Sequence, residues 1–285
     1  MKTLDDHLEE FKHVGFTLFP RMLDRAWVAE MRNAFEEIAD RIPEVDGGRP
    51  ATFVDVLEHE PQLVLRALSN ERLLDFAELI VGPHVQLESI TYRRTAPQAP
   101  GDSPVLGFHR DMFAFFPEDG VYHRPLLFNA LSYLQDLTDE NGPLRIIPGS
   151  HMRATRMTKQ QAMQPHPEEV ILYPEAGDVA VFHCSMLHSG TINLSTHYRY
   201  LFFLTLNHSW LKHRANYQGP VSQAVIAQAR ARKDRRLLRL LGVDELFVAR
   251  ANCGFLEPDE QNWRKWLADD DAERTRESRK STQDA

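Results

Sequence analysis

Residues 177–199 read GDVAVFHCSMLHSGTINLSTHYR, and this stretch decides the expected fold. It begins with a Gly-Asp turn and continues into a short apolar run, residues 179–182, that is typical of a buried strand. His188 follows, and eleven residues later Arg199 begins a second apolar run, residues 200–206. A histidine at one strand end and an arginine at the start of the next can place an imidazole and a guanidinium in one cavity. The stretch alone does not make a site, and a partner must come from elsewhere in the chain.

Short apolar or alternating runs recur through the middle of the chain and predict further strands. They lie at residues 85–92, 126–134, 144–147 and 169–173, in addition to 179–182 and 200–206. Turns rich in Gly, Pro, Asn and Asp separate them. Strands this short and this closely spaced favour a β-sandwich or barrel over a doubly wound α/β sheet. The predicted fold class is mainly β with flanking helices.

Helical periodicity flanks this β region on both sides. We predict helices at residues 23–38, 71–81 and 222–241, with N-caps at Asp24, Asn70 and Ser222. These boundaries predict a single domain over residues 1–268, with a helical N-terminal region (1–84), a β core (85–210) and a helical C-terminal region (211–268). Residues 269–285 are almost wholly polar and are expected to form a flexible tail.

Composition excludes several classes of protein. The chain has 285 residues, 42% of them hydrophobic, which is enough for a sizeable core, and its formal net charge of −8 gives no general affinity for nucleic acid or anionic lipid. No apolar run approaches the roughly 18–20 residues of a membrane span, and the acidic N-terminus does not resemble a signal peptide. The two cysteines, Cys184 and Cys253, make no disulfide framework, so a reducing cytoplasm is the expected compartment.

The third predicted helix is rich in basic side chains: Arg230, Arg232, Lys233, Arg235, Arg236 and Arg239. They could form a patch for nucleic acid or another anionic partner, or simply a solvated helix face. The acidic chain as a whole and the absence of aromatic residues between the cations favour the solvated face. No nucleic-acid or membrane partner is therefore expected, and the sequence leaves the oligomeric state open.

A partner for His188 lies upstream, in the segment His109-Arg110-Asp111. Residues i and i+2 of a strand point to the same face, so the His109 imidazole and the Asp111 carboxylate can converge. With His188 they make two imidazoles and one carboxylate, the facial triad that leaves three positions open on a ferrous ion. A His-x-Asp pair by itself is equally consistent with a surface turn or a satisfied polar pair, and only its combination with other motifs favours a metal site.

Further motifs lie between and after these residues. Residues 141–144 read NGPL, residues 147–151 read IPGSH, and residues 193–199 read NLSTHYR. Taken in order with His-Arg-Asp at 109–111 and with Gly-Asp at 177–178 before His188, they resemble the phytanoyl-CoA dioxygenase family of iron(II)/2-oxoglutarate oxygenases. The resemblance covers about residues 10–210.

This resemblance implies a double-stranded β-helix core (jelly roll, cupin-like) with N-terminal and C-terminal helices. It implies that His109, Asp111 and His188 ligate Fe(II), and that Arg199 pairs with the distal carboxylate of 2-oxoglutarate. A planar guanidinium that donates two parallel hydrogen bonds and keeps its charge suits that role. The expected reaction uses O2 and 2-oxoglutarate, releases succinate and CO2, and hydroxylates or otherwise oxidises an aliphatic C–H group of a small organic molecule.

Two nearby histidines compete for the role of distal ligand. His183 lies five residues before His188, but the spacing to Arg199 selects His188. His151 follows a Pro-Gly-Ser turn and is expected to bond turn backbone rather than a metal. Asp111 also bears on the type of oxidation, because halogenating relatives carry a small residue at that position. Halogenation is therefore not expected.

One co-substrate contact departs from the family pattern. A serine often lies two residues past the distal histidine in the family and helps to hold 2-oxoglutarate, but that position is Gly190 here. Ser189 and Thr191 beside it are the candidate hydroxyl donors.

Candidate substrate contacts follow or surround the first ligands. Residues 112–124 are aromatic, contain Pro and Gly, and could form a pocket wall that includes Phe113 and Phe115, or an aromatic cluster that fills the barrel end. Arg93, Arg94 and Arg110 could bind a carboxylate or phosphate of the substrate, or could be surface cations. Two other functions stay open on the same residues: a jelly-roll binding or regulatory protein without turnover, and a cupin-like metal-dependent isomerase or hydrolase.

Overall fold

A six-stranded antiparallel sheet forms one wall of the fold in the computed structural model, which describes residues 2–39, 51–53, 56–101, 103–111, 116–212, 214–215, 217–251 and 258–283. Its strands, in spatial order, are β1 (Phe16–Phe19), β7 (Val179–His183), β4 (Leu127–Tyr133), β9 (Arg199–His208), β3 (Val85–Thr95) and β2 (Ala51–Phe53). β9 lies at the centre and pairs with β4 along one edge and with β3 along the other.

A second antiparallel sheet of three short strands contains the distal histidine. Its order is β6 (Val170–Leu172), β5 (Leu144–Ile146) and β8 (His188–Gly190). An apolar cluster joins the two sheets, with Leu144 and Ile146 from β5 packed with Leu131 and Phe182 of the large sheet. Two antiparallel sheets that enclose one core in this way form the jelly roll that the resemblance implied, so the predicted fold class is confirmed.

The large sheet buries both of its faces, because its long strands alternate two sets of apolar residues. On β9, Leu201 and Phe203 pack into the cluster between the sheets, whereas Tyr200 and Phe202 pack into the cluster beneath the helices. A period of two places successive side chains on opposite faces. Polar residues on the inner face therefore lie inside the jelly roll.

Helices cover the outer face of the large sheet. The helical layer is made of α1 (Leu4–Val14), α2 (Arg25–Ala39), α3 (Val56–His59), α4 (Pro61–Leu68), α5 (Glu71–Val81), α7 (Pro220–Ala231), α8 (Arg235–Leu240), α9 (Phe247–Ala251) and α10 (Asp259–Gln283). The short helix α6 (Lys159–Ala162) lies elsewhere, with Ala162 packed against Phe108 and Leu187, and a 3-10 turn is formed by Ser150–Met152. Two of the predicted N-caps are confirmed, since the backbone N–H of Trp27 donates to Asp24 and that of Leu73 donates to Asn70. Each cap satisfies a donor that the first helical turn would otherwise leave free.

The single helix predicted at residues 222–241 is wrong, because the chain forms α7 and α8 with a break between them. Lys233 has a positive φ of 55°, which no helix accommodates, and the Asp234 side chain then accepts from the backbone of Leu237 to begin α8. Ser222 is not the cap; its hydroxyl donates to Glu58 of α3 instead.

The basic residues of this region pair with acidic residues of the fold. Arg230 and Arg235 both reach Glu245, Arg236 reaches Asp75 and Glu78, and Arg239 reaches Asp270. These ion pairs account for four of the six cations and place them against the protein's own carboxylates. The alternative of an anionic-partner patch gains no support from this arrangement.

The C-terminal segment differs from the flexible tail that its polar composition indicated. α10 continues to Gln283, and Asp270 on this helix is buried between Arg239 and Arg250.

Two strands of the N-terminal region, β1 and β2, join the large sheet, so this region is not purely helical. None of the helices in the described part of the chain combines the length and apolar character that crossing a bilayer requires.

Candidate metal centre and co-substrate pocket

Backbone pairing brings the two predicted histidine ligands together. The N–H of His109 donates to the carbonyl of His188 at 3.0 Å, and the N–H of His188 donates to the carbonyl of His109 at 3.1 Å. Asp111, two residues on, is anchored by its own N–H to the carbonyl of Cys184 at 2.9 Å. The segment at 109–111 thus runs antiparallel beside β8, which explains how residues far apart in sequence share one face.

The three side chains converge on one point. His109 Nε2 lies 3.6 Å from Asp111 Oδ1, and His188 Nε2 lies 3.7 Å from Asp111 Oδ2. One ligand atom from each residue falls within 4.8 Å of the others, which makes this the only group of three or more potential ligands in the described part of the chain. The spacing leaves room for a single ion between them.

Each imidazole is oriented by a backbone carbonyl behind it. The Nδ1–H of His109 donates to the carbonyl of Gly107 at 3.0 Å, and that of His188 donates to the carbonyl of Met186 at 3.1 Å. These bonds fix the tautomer and leave both Nε2 lone pairs facing Asp111. Metal-binding histidines are held in this way, and the bond behind the ring raises the basicity of the ligand nitrogen.

The carboxylate is supported by a residue that sequence reasoning missed. Asn129 of β4 donates from Nδ2 to Asp111 Oδ2 at 2.6 Å, and its Oδ1 accepts from the hydroxyl of Thr205 at 2.7 Å. Asn129 is buried and both ends of its amide are used. The only available signal was a lone amide within the apolar run at 126–134, which spacing alone does not connect to Asp111.

Burial decides the protonation of the distal histidine. Desolvation lowers the pKa of His188, the charge of Asp111 opposes this, and His109 lowers it further. A neutral imidazole is the form that binds a metal. Two oriented imidazoles and one hydrogen-bonded carboxylate on one side of a site fit a ferrous ion with three open positions.

A buried arginine lies in the same cavity. Arg199, at the start of β9, donates from Nη1 to the carbonyls of Gly142 and Thr191, and its Nη2 lies 3.5 Å from the Thr95 hydroxyl. No acidic side chain among the described residues pairs with it, so that part of the chain supplies no counter-ion for its charge. Desolvation lowers the pKa of Arg199, Tyr133 raises it and Arg93 lowers it again. Such a cation fits one carboxylate of a dicarboxylic acid.

A family model described as phytanoyl-CoA dioxygenase (PhyH) matches residues 11–201, and so includes the triad and Arg199. The chain belongs to the phytanoyl-CoA dioxygenase family. The predicted enzyme class, a non-haem iron and 2-oxoglutarate-dependent dioxygenase, is thereby confirmed, with iron, 2-oxoglutarate and O2 as its cofactors.

Known relatives extend the comparison. The L-proline trans-4-hydroxylase of Streptomyces griseoviridis is 25% identical, over 68% of this chain and 82% of that enzyme. The structure of HygX from Streptomyces hygroscopicus with nickel and 2-oxoglutarate bound has a TM-score of 0.60 at 20% identity, covering 75% of this chain and 90% of HygX. The epimerase SnoN from nogalamycin biosynthesis, in complex with Fe3+, alpha ketoglutarate and nogalamycin RO, has a TM-score of 0.58 at 21% identity, covering 72% of this chain and 84% of SnoN. The two solved structures support the jelly-roll fold.

The hydroxyl groups of Ser189 and Thr191, on either side of Gly190, hydrogen-bond to protein groups. Ser189 neighbours His188 on β8 and so faces the opposite side of the strand, where its hydroxyl donates to the Gly190 carbonyl at 2.9 Å. The hydroxyl of Thr191 accepts from Arg145 Nε at 2.8 Å. The hydroxyl that lies beside Arg199 is that of Thr95, on β3, which no motif indicated.

The predicted substrate residues have different positions. Arg94 faces the helical layer, with its guanidinium 4.3 Å from the ring of Tyr198. Arg93 lies inside the jelly roll on β3, above the ring of Phe203. The Arg110 guanidinium faces away from its neighbours His109 and Asp111 and donates to the carbonyls of Ser150, Arg153, Thr155 and Ser185. Phe113 and Phe115 lie outside the described residues.

The two competing histidines are not part of the ligand group. His183 Nε2 lies 3.1 Å from the carbonyl of His123, and its Nδ1 accepts from the N–H of Ser185 at 3.0 Å. His151 Nε2 lies 2.9 Å from the carbonyl of Lys12. Both rings bond backbone groups, although the partner of His151 is a carbonyl of α1 and not the turn before it.

Proposed function

We propose that this protein hydroxylates an aliphatic C–H group of a small organic molecule while 2-oxoglutarate is oxidised to succinate and CO2. One oxygen atom of O2 enters succinate and the other enters the hydroxylated product. The observation that carries the proposal is the convergence of His109, Asp111 and His188 within 4.8 Å, in one cavity with the unpaired cation Arg199. An ion and a fixed cation in one pocket suit a dianion that chelates at one end and pairs at the other.

In this proposal His109, Asp111 and His188 hold Fe(II). Bound iron supplies the activation of O2, driven by the oxidative decarboxylation of 2-oxoglutarate, and the oxidising power for the C–H group. The chain's own contribution is orientation: the carbonyls of Gly107 and Met186 fix the two rings, and Asn129 fixes the carboxylate. Held in this way, the ligands need no reorganisation when the metal binds.

Arg199 binds and orients the co-substrate. Its backbone contacts to Gly142 and Thr191 lock the guanidinium in place, and burial removes the water that would compete for a carboxylate. Charge-assisted hydrogen bonds are stronger in such a desolvated site. The sequence-based assignment of Ser189 or Thr191 as a second co-substrate contact remains a prediction, and the position of Thr95 makes its hydroxyl an additional candidate.

The type of oxidation follows from the ligand set and the relatives. Asp111 occupies the position that halogenation requires to be vacant, and the L-proline trans-4-hydroxylase supports hydroxylation of a small molecule. SnoN is an epimerase with the same fold, so epimerisation is the second candidate reaction. The product distinguishes them, because hydroxylation adds an oxygen atom and epimerisation leaves the mass unchanged.

The single-domain organisation of residues 1–268 and the cytoplasmic location remain predictions.

The proposal is tested by anaerobic titration of the purified protein with Fe(II) and 2-oxoglutarate. We expect the visible charge-transfer band of iron-chelated 2-oxoglutarate to appear in the wild type. His188→Ala should abolish it, because one of three protein ligands is lost. Arg199→Ala should leave iron binding intact and weaken 2-oxoglutarate binding by about 2–5 kcal/mol, the typical effect of deleting one partner of a buried charge pair.

Matched controls are available in exposed residues of the same type. His13 and Arg66 lie on the surface, and His13→Ala and Arg66→Ala should titrate like the wild type. A band of full intensity in His188→Ala would reject the metal assignment. Absence of any band in the wild type would favour a catalytically silent jelly-roll protein or a cupin-like isomerase or hydrolase.

A further inference from the structure

Arg93 is a cation inside the jelly roll that has no partner among the described residues. Its Nε is buried and makes no hydrogen bond, and its guanidinium forms neither a hydrogen bond nor an ion pair with any residue in the described ranges. The guanidinium lies near the ring of Phe203, whose centroid is 5.8 Å from Cζ. A partly buried guanidinium that the described residues leave unpaired is stabilised when water or the anionic group of a ligand reaches it.

The side chain faces the cavity that contains the metal centre. Arg93 pairs in register with Leu201, and Leu201 and Phe203 belong to the cluster between the sheets. The same cluster includes Phe182, whose ring lies 4.7 Å from that of His188. Desolvation lowers the pKa of Arg93, while Tyr133 and Asp111 raise it, so these groups share one electrostatic environment.

Arg94, the next residue on β3, has contacts that explain its presence. Arg94 faces the opposite side of β3, where its guanidinium lies 4.3 Å from the ring of Tyr198 and 3.8 Å from Glu36. Arg94 is thus accounted for by the helical layer. No hydrogen bond or ion pair within the described part of the chain accounts for Arg93 in the same way.

The balance of charge in the cavity requires one more anion. Fe(II) with Asp111 leaves one positive charge, Arg199 adds a second, and the two carboxylates of 2-oxoglutarate neutralise both. The other charged pair on this side of β3 is self-contained, because Arg214 donates to Glu88 at 2.5 and 2.8 Å. The charge of Arg93 then remains uncompensated among the described residues.

We propose that Arg93 binds a carboxylate of the substrate, and that the substrate is therefore a small carboxylic acid. This inference rests on the proposed function, since it takes the metal and Arg199 as the binding points of 2-oxoglutarate. A guanidinium can hold a carboxylate through two parallel hydrogen bonds, which fixes both its position and its orientation. Arg93 would thus place the carbon chain of the acid relative to the metal centre.

The test compares carboxylic acids with their primary amides on the Fe(II)- and 2-oxoglutarate-loaded protein. The probes are L-proline, the other proteinogenic amino acids, and aliphatic mono- and dicarboxylic acids, each beside its amide. Binding is followed anaerobically by calorimetry and by the thermal midpoint, and turnover by succinate formation in air. We expect the compounds that bind to be acids, with the matched amides weaker by about tenfold or more.

Arg93→Gln should remove this preference. We expect acid binding to weaken by about tenfold or more, the ratio of acid to amide affinity to fall to about one, and 2-oxoglutarate affinity to stay within about twofold of wild type. Arg93→Lys keeps the charge but cannot donate two parallel hydrogen bonds to a carboxylate. It should therefore show a preference for acids between those of Arg93→Gln and the wild type. Arg94→Gln, a substitution of the same kind on the opposite face, should lower stability without changing the preference.

The possible outcomes are distinct. Equal binding of acids and amides, or binding of no acid while the charge-transfer band is normal, overturns the role of Arg93 and leaves the proposed function standing. A loss of 2-oxoglutarate affinity in Arg93→Gln as large as that for the acid also overturns it, because Arg93 would then serve the co-substrate. Absence of the band in the wild type removes both proposals together.

Discussion

At the scale of single residues, the candidate metal centre depends on groups that hydrogen-bond to the ligand side chains and orient them. The carbonyls of Gly107 and Met186 hold the two imidazoles, and Asn129 holds Asp111. Asn129 is itself fixed by Thr205, so the bonds run from the carboxylate across β4 to β9. A carboxylate oriented in this way loses less entropy when it binds a metal.

Asn129→Ala should weaken iron binding without removing a ligand. We expect the Fe(II) dissociation constant to rise by about 10–100-fold, which is typical for loss of an outer hydrogen-bond partner of a metal ligand. Competition with a chromogenic chelator measures it. Thr205→Val is the matched control: Thr205 bonds Asn129 and not Asp111, so its loss should raise the dissociation constant less. Wild-type affinity in Asn129→Ala would show that the hydrogen bond to Asp111 does not support the site.

At the scale of elements, the C-terminal helices are tied to the helical layer by buried charges. Asp270 of α10 receives hydrogen bonds from Arg239 of α8 and Arg250 of α9, and all of these side chains are largely withdrawn from water. Hydrogen bonds from the two guanidinium groups lower the pKa of Asp270 although burial, the largest influence, raises it. The polar composition of α10 therefore conceals one residue that belongs to the core.

Asp270→Asn should destabilise the protein, because it leaves Arg239 buried with only the more distant carboxylate of Glu78, 4.0 Å away, as a counter-ion. Removing one partner of a buried ion pair costs about 3–5 kcal/mol, and we expect the free energy of unfolding to fall by about 3 kcal/mol. Chemical denaturation measures this change. Asp271→Asn is the control, since the Asp271 side chain is 73% exposed and pairs only with Arg274. Equal stability of the two variants would mean that α10 does not contribute to the fold.

At the scale of the whole molecule, the chain's N-terminal part completes the jelly roll. β1 pairs with β7 over four residues, and Phe11 of α1 packs beside His183 at the end of β7, with ring centroids 6.0 Å apart. His183 lies there with Nε2–H donating to the carbonyl of His123 and Nδ1 accepting from Ser185. Burial lowers the pKa of His183 to about 3, and the neutral ring is the form that both bonds require.

This buried histidine makes stability depend on pH. The unfolded chain binds a proton at His183 below its ordinary pKa of 6.5, whereas the folded protein does so only near pH 3. Its contribution is therefore complete above pH 6.5 and decreases as the pH falls, by about 1.4 kcal/mol per pH unit. The free energy of unfolding of the metal-free protein should thus fall by about 2 kcal/mol from this residue between pH 6.5 and 5.

The measurement is denaturant unfolding at several pH values. His183→Gln keeps a donor for the His123 carbonyl but cannot be protonated, so its stability should vary less with pH by that amount. His13→Gln, on the surface, should retain the wild-type dependence. An unchanged pH dependence in His183→Gln would show that this ring is not held neutral in the folded protein.

Much of the site could be read from the sequence because its parts carry local signals. The pair at 109–111 has the spacing of one strand face, and the interval from His188 to Arg199 spans the short strand β8, a turn and the start of β9. Asn193 orders that turn through hydrogen bonds with Thr95, Ser195 and His197. Alternating apolar residues predicted most strands to within a few residues, for example β4 at Leu127–Tyr133 for the predicted 126–134.

The remaining features depend on contacts between strands that no spacing along the chain records. By itself the sequence predicted a β core from strand periodicity, and the order of its motifs predicted the three candidate ligands and Arg199, because these signals act over short distances. Only the tertiary structure decided that Asn129 supports Asp111, that Arg110 faces backbone carbonyls, and that Arg93 has no partner among the described residues. Each of these depends on which strand lies next to which, and that is fixed by burial of the whole core rather than by neighbours in sequence.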